Sequence, residues 1–200
     1  MGRDHVGMGA IPLNGLINFE RFSLILALLE VKSKVTGLIM DERASEHYRA
    51  IECEGEIVMD LGCGRWGMTK LEDTSPGYFM AQGAEKIIGV DKSNADVACY
   101  SENLAGVWIQ ENLLLTEQIR SLISIHKPTL LKVDIEGDEI LLTCLGEDDM
   151  EGIRKMAIEY HSEELEEMIQ EWAEAIGFSQ RENHRFSYGR GTKGVLYMDR

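Results

Sequence analysis

The stretch I-V-M-D-L-G-C-G-R-W-G, residues 57–67, decides the fold. It opens as a short apolar run, the signature of a buried strand, and passes directly into Gly62, Gly64 and Gly67 at G-x-G-x-x-G spacing. Glycines there let the backbone turn sharply and approach a ligand with no Cβ in the way. The spacing alone fits a dinucleotide turn and a methyltransferase turn equally. Asp60, at the strand end, separates them. A carboxylate beside a pyrophosphate is repelled, whereas S-adenosylmethionine has no phosphate and carries an ammonium and a sulfonium. The competing reading of Asp60 is a strand-end acid that caps the loop's own amides.

Outward from this turn, short apolar runs alternate with segments of helical period, which predicts a mainly parallel sheet. Candidate strands cover 56–60, 86–91, 107–110, 129–134 and 155–160, with a sixth starting near Phe178 and a seventh over 195–198. Ser75-Pro76 reads as a cap and first-turn pair, and Ser93 as the cap of the next helix. Over 162–176, Leu165, Met168, Ile169, Trp172, Ala173 and Ile176 fall on one stripe, with Ser162 before it and Gly177 after it. The polar segment R-F-S-Y-G-R-G-T-K-G is too short for a crossover helix, so the last two strands are expected to be an antiparallel pair. The expected fold is therefore α/β: a doubly wound, mainly parallel seven-stranded sheet. Residues 17–35 predict a helix, so 1–55 is taken as an N-terminal helical extension and 56–200 as the ligand-binding domain, a single domain overall.

With 200 residues, 35 acidic against 20 basic side chains and a net charge of −15, the chain has the length for one core and an acidic surface. That charge repels a nucleic acid backbone, and no Lys/Arg cluster offsets it, so the expected partner is a small-molecule acceptor and not a nucleic acid. The longest apolar stretch, 24–29, is far below the roughly 20 residues that cross a bilayer, and no signal peptide is visible. Cys53, Cys63, Cys99 and Cys144 lack metal-ligand pairing, consistent with reduced thiols in a cytoplasmic protein. Oligomeric state is left open.

The candidate site gathers at the strand ends. Asp60, Gly62, Cys63, Gly64, Asp91, Lys92, Asn112 and Asp134 are the cofactor-binding candidates. Asp91 ends the second strand, where a carboxylate accepts both ribose hydroxyl protons; its alternative role is a helix N-terminal acid. Glu111 and Asn112, after the third strand, are placed to meet the adenine amino group. In L-L-K-V-D-I-E-G-D-E, Lys132 and Asp134 share one strand face by the period of two, and Glu136 and Gly137 follow in the loop. The fifth strand ends A-I-E-Y-H-S, which carries Glu159 and His161 to the same rim.

K-V-D-I-E-G-D-E, residues 132–139, resembles the K-I-D-x-E-G-x-E signature of FkbM-family methyltransferases. E-D-T-S-P-G-Y-F-M-A-Q-G-A-E-K-I-I-G-V-D, residues 72–91, is similar to that family's first-helix-to-second-strand stretch, and A-I-E-Y-H to its fifth strand. The similarity spans about residues 56–178. It implies a class I fold and S-adenosylmethionine-dependent O-methylation of a hydroxyl on a sugar or secondary metabolite. The chain departs from the family in R-W-G-M-T-K-L, residues 65–71, where Trp66 is expected to reshape or cover the methionine end of the pocket.

For such a transfer His161 is the expected base, because its ordinary pKa of about 6.5 leaves it neutral at pH 7; the competing reading is a surface His beside the start of helix 162–176. Asp134 is a second base or an ammonium ligand, and Glu136 orients the acceptor or pairs with Lys132. An alternative reading has Asp134 and Glu136 jointly hold a Mg²⁺ that activates the hydroxyl. Two rival readings stand beside this one: a nicotinamide-dependent oxidoreductase on the same glycine turn, and a non-catalytic S-adenosylmethionine-binding module.

Overall fold

The structure, a computed structural model, describes residues 47–65, 68, 70–186 and 192–200. The chain divides into two units, Met1–Ile39 and Met40–Arg200, and every described residue lies in the second. The expected helix over 17–35, Trp66 and Gly67 fall outside the described residues.

Among the described residues, seven strands form one sheet: β1 (Ile57–Leu61), β2 (Lys86–Asp91), β3 (Val107–Gln110), β4 (Leu130–Val133), β5 (Lys155–Tyr160), β6 (Ser179–Phe186) and β7 (Lys193–Asp199). Their order is β3-β2-β1-β4-β5-β7-β6. The first five are parallel, and β7 pairs antiparallel with both β5 and β6. The chain thus winds outward from β1 through β2 to β3, then returns to β4 on the other side of β1. Ligands of open α/β sheets bind where winding reverses in this way, outside the carboxyl ends of the strands.

The period-two alternation of strands sorts the core into two layers. Met59, Leu61, Val90, Leu131, Val133, Met156 and Ile158 pack with Ile119, Leu122 and Ile123 of α3 (Thr116–His126) and with Ile169 and Trp172 of α4 (Glu163–Ala175). Val58, Ile87, Leu130, Ala157 and Val195 point into the other layer, with Phe79 of α1 (Ser75–Ala81) and with Tyr48, Ile51 and Cys53. Each fully buried Val, Leu, Ile, Phe or Met among them contributes on the order of 1.5–3 kcal/mol. Central strands buried on both faces read as continuous apolar runs, and that is why β1, β2 and β5 lie within one residue of their expected spans.

Two local expectations are adjusted. The cap of α1 is Thr74, whose Oγ1 accepts from Gly77 N at 3.3 Å, while Ser75 turns its hydroxyl inward. Met168, placed on the buried stripe of α4, is 46% exposed, because the stripe narrows to Ile169, Trp172, Ala173 and Ile176. Strand β6 runs through S-Q-R-E-N-H-R-F, a polar sequence that fits a strand only at the sheet's edge, where charged side chains deter pairing with another chain. Ser93 and Ser162 cap α2 (Asn94–Asn103) and α4 as expected, accepting from Asp96 N and Leu165 N.

Candidate active site

The strand-to-helix turn after β1 is held from two sides. Gly62 N donates to Val90 O at 2.8 Å, and Gly62 has φ +79°, in the left-handed region. A Cβ there would run into the carbonyl oxygen of Asp134, so the approach of the β1 and β4 ends requires glycine. At Gly64 a Cβ would point across the cleft and meet Asp91 Oδ2 at 3.1 Å.

Beneath this turn lies a buried charge cluster. Lys132 is 1% exposed; its Nζ sits 2.8 Å from Asp60 Oδ1, donates to Gly62 O at 2.9 Å and lies 3.8 Å from Asp134 Oδ2. Ser75 Oγ donates to Asp60 Oδ2 at 2.6 Å. Burial alone drags an ammonium's pKa down, but Asp60, Tyr48 and Asp134 together hold Lys132 well above its ordinary value. Burial pushes the Asp60 carboxyl up, against the pull of Lys132. Asp60 is fully buried and occupied by these two partners. The structure does not bring it to the cleft wall, and it acts on the site through Lys132 and the turn. Cys63 is also fully buried behind the turn, its carbonyl accepting from the Tyr100 hydroxyl at 2.7 Å.

Above the switch point opens a cleft of about 240 Å³. Gly62, Gly64, Asp91, Lys92, Asn112, Asp134 and Glu136, all singled out in the sequence, line it. With them stand Asp96, Glu111 and Asp138, so six carboxylates face a single cation, Lys92, among the described lining residues. Asp91 Oδ1 accepts from Ser93 N at 2.7 Å, which fixes the carboxylate at the end of β2. Glu111 accepts from Gln118 Nε2 at 2.7 Å, and Asp96 pairs with Arg65 at 2.7 Å. Asp96 and Asp138 were not identified as site residues in the sequence; acids in helix first turns and loops carry no signal that separates lining from solvation.

The rim beside Asp134 is built by β4 and β5 together. His161 is 11% exposed, with Nδ1 3.2 Å from Glu139 Oε1 and Nε2 3.7 Å from Glu136 Oε1 and 3.8 Å from Glu159 Oε1. Glu139, fully buried, also accepts from the backbone N–H groups of Ile135 and Gly137. Burial pushes its pKa up, but His161 and then the Gly137 N–H outweigh burial and lower it. Burial opposes protonation of His161, yet Glu139 and then Glu159 raise its pKa above the ordinary value. Burial, then Asp134, pushes the Glu159 carboxyl up to about 7. Glu136 takes φ +59°, in the left-handed region rare for a residue with a Cβ. Lys132 is spent on Asp60 and does not pair with Glu136 among the described ion pairs.

The chain matches no family model, and it matches no curated protein sequence. Solved structures share its architecture. A Bacillus subtilis tRNA (m1A22) methyltransferase, TrmK, superposes with a TM-score of 0.54 at 12% identity, over 81% of this chain and 67% of that one. A Streptococcus pneumoniae protein assigned as a tRNA (m1A22) methyltransferase, in complex with S-adenosyl-L-methionine, gives 0.56 at 11% identity, over 80% and 73%. A Streptococcus thermophilus protein labelled a hemolysin gives 0.54 at 13% identity, over 82% of this chain and 66% of that one. The fold is the Rossmann-like fold of class I S-adenosylmethionine-dependent methyltransferases.

These neighbours correct one expectation. Two proteins that share the fold are assigned to tRNA, so a small-molecule acceptor with no nucleic acid does not follow from this sequence. The physical reason is that net charge is a sum over the whole chain. Contact with a polyanion depends on where the 20 Lys and Arg lie, and the tally does not locate them. No helix among the described residues is long and apolar enough to cross a membrane.

Proposed function

We propose that this chain is an S-adenosylmethionine-dependent methyltransferase whose acceptor is a hydroxyl group presented at the rim of Asp134, Glu136, Glu159 and His161. The observation that carries this is the sign of the cleft: six carboxylates against one lysine among its described lining residues, around a glycine turn. Such a wall repels the pyrophosphate of a nicotinamide cofactor and attracts a sulfonium and an ammonium, which disfavours the oxidoreductase reading.

The cofactor, when bound, supplies an already activated methyl group. Gly62 and Gly64 line the turn that would receive it; Asp91, whose carboxylate accepts from Ser93 N, is the proposed acceptor of ribose hydroxyl protons, and Asn112, on the same cleft wall, the proposed partner of the adenine. Lys92 lines the same wall, and Asp134 offers a carboxylate to the ammonium or to the acceptor. The protein's main task is alignment; well-oriented reacting pairs gain on the order of 7–11 kcal/mol. A base that takes the hydroxyl proton adds roughly 10²–10⁴-fold. His161 fits that role: its Nδ1 lies 3.2 Å from Glu139 Oε1, and its Nε2, 3.7 Å from Glu136 Oε1, has no hydrogen-bond partner.

Sugars and secondary metabolites are the acceptors that the FkbM-like motifs suggest, and tRNA belongs in the same panel because fold neighbours are assigned to it. Calorimetric titration with S-adenosylhomocysteine and with NADH, followed by transfer of labelled methyl from S-adenosylmethionine to that panel, tests the reading. Saturable binding of the homocysteine compound with no response to NADH is expected. Binding of NADH alone refutes the assignment, and cofactor binding without transfer to any acceptor favours a non-catalytic module. A cytoplasmic setting fits four unpaired cysteines among the described residues.

A further inference from the structure

Asp134, Glu136 and His161 each offer one ligand atom, and the three atoms lie within 4.8 Å of one another. This spacing suits a shared ion, but clustered acids alone do not make a site. Two further features point to a ligand. The Asp134 side chain is nine-tenths buried, and its Oδ1 has no hydrogen-bond partner. Both ring nitrogens of His161 are also buried without a hydrogen-bond partner; Nδ1 lies within ion-pair distance of Glu139, which leaves Nε2 for a ligand. Leaving such atoms bare is costly, the more so for charged groups, unless something binds them.

The surroundings of His161 match what a metal-binding imidazole needs. Glu139 is fully buried, anchored by the N–H groups of Ile135 and Gly137, and lies 3.2 Å from Nδ1. A carboxylate against one ring nitrogen fixes the tautomer and orientation that present the other nitrogen to a metal. Glu136 Oε1 lies 3.7 Å, and Glu159 Oε1 3.8 Å, from that second nitrogen. Lys132, the nearest buried cation, is held by Asp60 at 2.8 Å and lies farther off, 3.8 Å from Asp134 Oδ2, so it leaves Oδ1 to another partner.

We infer that Asp134, Glu136 and His161 form a divalent metal site at the edge of the cofactor cleft, selective for a first-row transition ion by its imidazole. Two carboxylates with one imidazole suit Mn²⁺, Fe²⁺ or Zn²⁺ better than an all-oxygen ion such as Mg²⁺. The site deepens the methyltransferase reading, on which its role rests: a cation here meets the acceptor oxygen and lowers the pKa of its hydroxyl. His161 then serves as a ligand, the cation acidifies the acceptor hydroxyl, and the proton that the imidazole would otherwise accept passes to the Glu159 carboxylate, 3.8 Å from Nε2.

The test is a titration of the full chain, stripped with chelator, with Mn²⁺, read by the electron paramagnetic resonance of free Mn²⁺ and by calorimetry. One saturable site is expected, weakened at least tenfold in E136Q and in H161Q and unchanged in an E163Q/E164Q control on α4. Glu136 is 37% exposed at its side chain, so E136Q tests the site even if H161Q unfolds. S-adenosylhomocysteine is titrated into the same samples. Metal binding without nucleoside binding keeps the site and removes the methyltransferase reading; nucleoside binding without saturable Mn²⁺ binding overturns the metal site alone. Equal Mn²⁺ affinity in wild type and both rim variants also overturns it.

Discussion

Replacement of Lys132 by methionine tests the electrostatic core of the site. Lys132 and Asp60 lie 2.8 Å apart with side chains 1% and 0% exposed, so solvent screens neither charge. Removal of one member of such a pair typically costs about 3–5 kcal/mol, because the other charge is left uncompensated. For a domain of this size each kcal/mol lowers Tm by roughly 2–4 °C, so K132M is expected to lose about 6–20 °C by calorimetry. The double variant K132M/D60N removes both charges and keeps an acceptor for Ser75 Oγ, and is expected to recover most of the loss. The pH dependence has a definite sign. Without Lys132 the buried Asp60 carboxyl moves further up, so the variant's deficit is full where Asp60 must ionise and shrinks as acid protonates it. Loss of the Nζ bond to Gly62 O also loosens the turn, so affinity for S-adenosylhomocysteine is expected to fall at least tenfold. A K132M deficit below about 1 kcal/mol, or a double variant as unstable as the sum of the singles, refutes the reasoning.

Four further outcomes follow from the same geometry. H161A is expected to leave S-adenosylhomocysteine affinity unchanged and to remove turnover, and unchanged turnover drops His161 from the mechanism. The ion pair of Glu139, lowered from 4.5, with His161, raised from 6.5, contributes stability that is full between those two ordinary values. That contribution fades as pH falls through the lowered Glu139 pKa or rises through the raised His161 pKa, so the imidazole midpoint seen by NMR should lie above 6.5 and drop in E139Q. Glu159, raised from 4.5 to about 7, has the opposite sense from most carboxylates: its ionisation between those values costs stability. E159Q is therefore expected to be more stable than wild type at pH 8, on the order of 1–3 kcal/mol by urea unfolding, and no gain there contradicts the placement of Glu159 beside Asp134. D91A, which removes the proposed ribose acceptor, is expected to weaken S-adenosylhomocysteine by about 10–100-fold in calorimetry, in line with the loss of hydrogen bonds to a charged group.

Local signals carried much of the architecture. β2, β3 and β5 occupy the spans expected from their apolar runs, and Ser93 and Ser162 cap helices as their positions implied. The period of two placed Lys132 and Asp134 on one face, and the structure puts Lys132 Nζ 3.8 Å from Asp134 Oδ2. These features are written in neighbouring residues because backbone sterics and side-chain periodicity act over a few positions. β6 was harder to bound, since an edge strand has no buried face to impose alternation.

Tertiary structure alone decided how the charges are shared. From residue type Asp60 reads as a ligand for a cationic cofactor, yet the fold turns it inward onto Lys132 and Ser75, 72 and 15 positions along the chain. His161 meets Glu139 and Glu136 only because β4 and β5 lie side by side in parallel, which brings two loops 20 or more residues apart to one edge. Electrostatic partners are set by distance and burial in space, and a sequence records neither, so the glycine turn was legible while the pairing of its carboxylates was not.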